Sequence, residues 1–163
     1  MSDEGFPDEP LPEGYLTPNF KLVEFTHSDT AVMCGIDNTP NDQETVNLSR
    51  VAETLEMIRV LLGNKPITIT SGFRCSELNA AVGGAYNSAH LYGLAADFVC
   101  PEYGTPIQIC NALVNDLYEL KIDQLINESN SNGGAWVHLG LSEGEPRCMA
   151  MTIGPYGTYT GFV

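Results

Sequence analysis

Apolar residues Val46, Leu48, Val51, Leu55, Ile58 and Leu62 recur at helical spacing and predict a long helix over residues 42–62, broken by Asn64-Lys65-Pro66. The β-branched run Ile67-Thr68-Ile69-Thr70 then reads as a strand that delivers Gly72 and Arg74 at its end. Ser76 to Val82 forms a short helix closed by Gly83-Gly84, and a loop at 85–87 leads into Ser88 and His90. Leu94 to Val99 is a strand whose alternation turns Asp97 away from Ala96 and Phe98. Thr105-Pro106 opens a second helix, through about Leu120, with Ile109, Leu113, Leu117 and Leu120 on one face. Ile122 to Asn127 is a further strand, the Ser129-Asn130-Ser131-Asn132 stretch a turn, and Ala135 to Leu141 the returning strand. In that strand Trp136, His138 and Gly140 share one face, while Val137, Leu139 and Leu141 share the other. At the ends of the chain, Asn19 to Phe25 suggests a short helix, Cys148 to Ile153 an edge strand, and Tyr156 to Val163 a turn-rich segment.

These elements predict an α+β chain, a small, mostly antiparallel sheet backed by helices. At 163 residues, 43% of them hydrophobic, one domain with a substantial core is expected over residues 19–163. Residues 1–18 hold Asp3, Glu4, Asp8, Glu9 and Glu13 among Pro7, Pro10 and Pro12 and read as an acidic flexible tail. A net charge of -14, from 21 acids against 7 bases, excludes phosphate-backbone binding, so nucleic acid is not an expected partner. No apolar run approaches the roughly 20 residues of a membrane helix, and no basic-then-apolar leader opens the chain. Synthesis in the cytoplasm without a signal peptide, as a monomer without membrane insertion, is the expectation. The five cysteines include no CxxC pair and their number is odd, so they read as mostly reduced, small buried hydrophobes.

Chemistry concentrates in Ser88 to Asp97 and in Trp136-Val137-His138, which together supply two imidazoles and a carboxylate. Such a set leaves a coordination position open, and in catalytic zinc sites that position takes water. The two histidines are too distant in sequence for a helical metal motif, so the ligands must meet in space. Gly93 and the small Ala95 and Ala96 allow a tight turn after His90 into the Asp97 strand; if that strand neighbours the His138 strand, Asp97 and His138 converge on one ion. Asp97 lies within Ala-Ala-Asp-Phe-Val, where an unpaired carboxylate would be costly to bury and a metal would relieve the cost. Two other readings stay open. The same ligand types form the facial triad of non-haem iron oxygenases, although there the first His and the acid are nearly adjacent, whereas six residues separate His90 from Asp97. A non-catalytic module that keeps its metal for stability is the other. His27 has no motif around it and reads as a surface residue, and Trp136 as packing or cleft wall.

Several stretches carry a family resemblance: Ser71-Gly72-Phe73-Arg74, Leu78 to Gly84, Ser88-x-His90-x-x-Gly93-x-Ala95-Ala96-Asp97-Phe98, Asp123-Gln124-Leu125-Ile126 and Trp136-Val137-His138. In this order they resemble the M15 zinc peptidases that cut peptidoglycan stem peptides. Asn19 to Thr26, Ser28 to Ala31 and Gly35 to Pro40 further resemble the phage-associated, endolysin-type subgroup. The resemblance implies the zinc D-Ala-D-Ala carboxypeptidase/Hedgehog-like fold and one zinc ion held by His90, Asp97 and His138. It also implies Arg74 as the group that binds and polarises substrate, and Ser88 as a supporting, substrate-side hydrogen-bonding residue. Several branches of the family place the general base a few positions before the last ligand; here Ala135 stands three before His138, and Glu128 is the candidate. The implied substrates are peptidoglycan peptides, cut at a D-Ala linkage, with L-Ala-D-Glu endopeptidase activity as the alternative within the family and a metal-containing wall-binding or virion module as the non-catalytic one. The expected setting is a host bacterial cytoplasm, with action on the wall after release.

Overall fold

Residues 9–163 are described by a computed structural model; part of the expected acidic tail, residues 1–8, lies outside the described residues. Within the stretch read as tail, β1 (Tyr15–Thr17) pairs antiparallel with β2 (Phe20–Lys21). Phe20 is fully buried, Thr17 nearly so, and Leu16 packs on the core, so this hairpin belongs to the domain. The expected helix at 19–25 therefore starts later, as α1 (Leu22–Thr26), followed by α2 (Asp29–Cys34). α3 (Asp42–Leu61) begins in a capping box in which the Asn41 side chain accepts from Glu44 N and the Glu44 carboxylate from Asn41 N. It buries Leu48, Val51, Leu55 and Ile58, and Leu62 at its end, as the spacing predicts, whereas Val46, read as part of the same stripe, is exposed.

β3 (Thr68–Ser71), α4 (Ser76–Ala81), a 3₁₀ turn at Ala89–Tyr92 and β4 (Ala95–Val99) follow. α5 (Pro106–Leu113) has its own capping box, with Thr105 and Gln108. The remaining strands are β5 (Gln124–Ser129), β6 (Ala135–Gly140), β7 (Met149–Gly154) and β8 (Gly157–Thr160). Six of them form one sheet in the order β3-β4-β6-β5-β7-β8, antiparallel except for the parallel pair β5–β7. Alternation divides its two faces. Ala96, Phe98, Leu125, Val137 and Leu139 are fully buried in the core that the α3 and α5 side chains complete. Asp97, His138 and Ile126 share one register level on the other face, with Trp136 and Glu128 paired one step along.

Three expectations change. α5 stops at Leu113 and gives way to a 3₁₀ turn at Val114–Asp116, yet Leu117 and Leu120 stay buried; Lys121, at φ 55°, then reverses the chain into β5. β7 is interior, held between β5 and β8, and the edge is β8, which lies within the segment read as turn-rich. The crossover into β7 is pinned by Asp123, whose buried carboxylate accepts from Arg147 N, Nε and Nη2 at 2.8, 3.0 and 2.6 Å. That pairing holds the Asp123 carboxyl below its ordinary range. No helix among the described residues is long and apolar enough to cross a membrane.

The tightest backbone approach is at Gly72, where an added Cβ would lie 2.4 Å from the Phe25 carbonyl oxygen and 2.6 Å from its Cα. Because both atoms are backbone, no rotamer change can relieve the clash. Gly72→Ala is expected to destabilise the protein by roughly 1–3 kcal/mol, read as a lower urea midpoint at unchanged m; an unchanged midpoint would contradict this packing.

Candidate active site

The site is assembled from backbone contacts before any side chain meets another. Phe73 N donates to Phe25 O at 2.7 Å and Arg74 N to His90 O at 3.0 Å, fastening the segment after β3 to both α1 and the His90 turn. Asn38 clamps the same segment, its Nδ2 donating to Thr26 O and Phe73 O and its Oδ1 accepting from Cys75 N. The His90 turn starts at Ser88, whose Oγ accepts from His90 N at 3.3 Å, and ends at Gly93 in the left-handed region with φ 69°. A Cβ on Gly93 would lie 2.6 Å from Glu44 O, so the turn can press against α3 only with glycine there. Asn47 on α3 completes the grip by donating to Tyr92 O at 2.8 Å.

Within this frame the two histidines and Asp97 converge. Asp97 and His138 are paired across β4 and β6, and His138 Nδ1 lies 2.9 Å from Asp97 Oδ1. His90 Nε2 reaches the same oxygen at 3.3 Å. One donor atom from each of the three residues lies within 4.8 Å of the others, and all three residues are buried. His90 Nδ1 lies 2.6 Å from Gly72 O; because a carbonyl only accepts, Nδ1 carries the proton and Nε2 presents a lone pair inward. An imidazole oriented through its outer nitrogen, a second imidazole and a carboxylate on one point fit a borderline divalent ion such as zinc.

Arg74 closes one side, with Nη2 3.4 Å from Asp97 Oδ2, Nε donating to Ser71 Oγ at 3.1 Å and Nη1 to Asn79 Oδ1 at 3.4 Å. This is not a surface salt bridge, since the Arg74 side chain is only 16% exposed. Burial by itself would raise the Asp97 carboxyl. The imidazoles of His90 and His138, both at its Oδ1, outweigh it and hold the group well below the usual carboxylate range. Glu128 behaves in the opposite way: burial, reinforced by the charge of Asp97, raises its carboxyl despite the nearby histidines. Its Oε2 accepts from Trp136 Nε1 at 2.5 Å. By strand geometry Glu128 is a diagonal neighbour of His138, with Cα atoms roughly 7–8 Å apart.

These groups line one open cleft of about 700 Å³, with Ser88, Tyr92, Met151 and Ile153 on its walls. Ser88 lines the cleft, and its hydroxyl accepts from the backbone of the His90 turn. His27 is exposed beside Asp29 and takes no part. Of the cysteines expected to be buried, Cys100 and Cys110 are core residues, the Cys110 thiol pushed up to about 12 by burial, whereas Cys34 is exposed and Cys75 and Cys148 are half-buried. Sequence reasoning missed Asn38, Asn47 and Asn79, whose side chains bond backbone and Arg74. Asparagines in loops and on polar helix faces carry no periodic signal.

Three residues able to hold one metal ion at the floor of a cleft, flanked by a guanidinium and a carboxylate, fit a mononuclear hydrolytic type of site. Residues 18–119 match the family model for peptidase M15, and the chain belongs to that family. It is also similar to the zinc D-Ala-D-Ala carboxypeptidase of Streptomyces albus G, 54% identical over 43 residues, which is 26% of this chain and 17% of that relative. The chain thus matches less than a fifth of the relative's length. The family match contains Arg74, His90 and Asp97; Glu128, Trp136 and His138 lie beyond it and are joined to it by the pairing of β4 with β6 and β6 with β5.

Removing a ligand should cost more than removing the group that orients one. By calorimetric zinc titration, His138→Ala is expected to lose more than ~100-fold in affinity, and Ser88→Ala about 10-fold. Equal affinity for His138→Ala and the unaltered protein would place the metal elsewhere.

Proposed function

We propose that the protein is a zinc-dependent peptidase that hydrolyses peptidoglycan stem or cross-link peptides at a D-Ala linkage, as an endolysin-type wall-degrading enzyme. The observation that carries this reading is the convergence of His90, Asp97 and His138 at the floor of the cleft, with Glu128 on the same sheet face. Family membership supports the reaction class. The D-Ala linkage is supported by the activity for which the Streptomyces albus G relative is named, and the phage-type series from Asn19 to Pro40 supports action on the wall after release from the cell that makes the enzyme.

When bound, zinc makes a water nucleophilic near neutral pH and polarises the scissile carbonyl. The chain's own groups do the rest. Glu128, raised by burial, takes a proton from the attacking water at its carboxylate and returns it to the nitrogen of the departing amine. Its raised carboxyl brings it closer to the operating pH, which favours both halves of that transfer. Arg74, held by Ser71, Asn79 and Asp97, offers a fixed guanidinium to a substrate carboxylate or to the oxyanion that develops on the carbonyl. Asp97 stays ionised throughout and keeps both imidazoles turned toward one point.

Mass spectrometry of defined muropeptides after digestion by the zinc-loaded protein tests the reading, and fragments split at a D-Ala linkage are the expected products. Cleavage between L-Ala and D-Glu would reassign the bond, and no cleavage at all would make the domain a binding module. In the same assay Glu128→Gln should keep its zinc and lose about 10²–10⁴-fold in kcat. A fully active Glu128→Gln enzyme would move the base elsewhere.

A further inference from the structure

We propose that Trp136 is a positioning residue whose indole N–H holds one carboxylate oxygen of Glu128, leaving the other free to face the reacting bond. The proposal rests on the reading of Glu128 as the general base. Trp136 is the chain's single tryptophan, and it lies directly across the β5–β6 ladder from Glu128, on the face that carries Asp97 and His138. A cleft wall needs only an apolar ring, for which Phe would serve. Here the polar edge of the indole is instead turned onto the carboxylate, with Nε1 2.5 Å from Oε2.

Glutamate has three rotatable side-chain bonds, so an untethered Glu128 would spread its carboxylate over many orientations. Nothing else on its level restrains it: the residue across on β7 is Ile153, the preceding residue on the same face of β5 is Ile126, and Trp136 is its single hydrogen-bond partner among the described residues. The choice of donor matters as well. An indole N–H donates only and cannot take a proton, so it fixes Oε2 without competing for the proton that Glu128 is to carry. A charge-assisted bond of this kind is roughly twice as strong as a neutral one, sufficient to select one rotamer in a partly dry cleft. Oε1 is left as the oxygen available for proton transfer. The cross-strand register thus fixes where the carboxylate is, and the indole fixes which way it points.

The single tryptophan makes the bond directly observable, since a ¹⁵N–¹H spectrum contains one indole signal. In the unaltered chain that signal is expected well downfield of free tryptophan, and Glu128→Leu, which removes the acceptor, should return it toward the free position. This readout needs neither metal nor substrate. Trp136→Phe, which keeps the ring and deletes the donor, should bind zinc as before and keep KM within about twofold while kcat falls up to about 100-fold. An indole signal unmoved by Glu128→Leu, or a Trp136→Phe enzyme with full kcat, would overturn the proposal. A fully active Glu128→Gln enzyme would instead remove its premise, the assignment of the base, and is read in a separate variant. Should Trp136→Phe fail to fold, the spectral comparison of the unaltered chain with Glu128→Leu still decides whether the bond exists.

Discussion

A carboxylate placed in the middle of a sheet, 5% exposed, is costly to keep ionised unless partners meet it on every side, and Asp97 is such a carboxylate. Its Oδ1 faces His90 and His138, and its Oδ2 faces Arg74. Each partner comes from a different piece of the chain: a 3₁₀ turn, a neighbouring strand and the segment that leaves β3. Meeting the needs of this one side chain therefore requires β3, β4 and β6 to lie side by side and the His90 turn to be folded over them. The supports of that turn, the Gly72 carbonyl, the Ser88 hydroxyl and the close approach of Gly93 to α3, are consequences of the same demand. The arrangement trades stability for chemistry, since an apolar residue at position 97 would pack without any of these partners.

The alternation of the sheet separates scaffold from site. Residues Ala96, Phe98, Val137 and Leu139 seal the core, while their immediate neighbours Asp97, Trp136 and His138 face the cleft, so the two roles are interleaved at single-residue spacing. A slip of one residue in the β4–β6 register would bury the ligands in the core and expose the core to the cleft. The two carboxylates of the site are driven in opposite directions by this environment. Asp97, faced by the Arg74 guanidinium and two imidazoles, is held ionised; Glu128, half-buried and near the charge of Asp97, is raised. Divergence of that kind within one cleft is how a protein assigns one acid to hold charge and another to move protons.

Much of this was legible in the sequence because period carries physical information. The helical stripe of α3 and the alternation in residues 94–99 and 135–141 place Asp97 and His138 on faces that can meet, and neighbouring strands make them meet. What the pattern could not convey was register with distant partners. Cys148 to Ile153 reads as an edge strand because it is short and near the end of the chain, yet β8 covers it; β8 itself, Gly157-Thr158-Tyr159-Thr160, has no apolar alternation to announce it. The early end of α5 was hidden because Leu117 and Leu120 are buried from turns as effectively as from a helix. The ordering of Tyr15–Thr17 escaped notice because acidic and proline-rich neighbours dominate the composition there. Trp136 was placed on the correct face by period, but only geometry shows that its N–H, rather than its ring alone, is engaged.

X-ray absorption spectroscopy of the zinc-loaded protein tests most directly whether three side chains hold one ion and leave it a position for water. Zinc bound by His90, Asp97 and His138 is predicted to show only nitrogen and oxygen neighbours, at roughly 2.0–2.1 Å, with imidazole scattering from two rings and one non-protein oxygen. A sulfur neighbour near 2.3 Å, drawn from one of the five cysteines, or a fourth protein donor in place of water, would contradict the account.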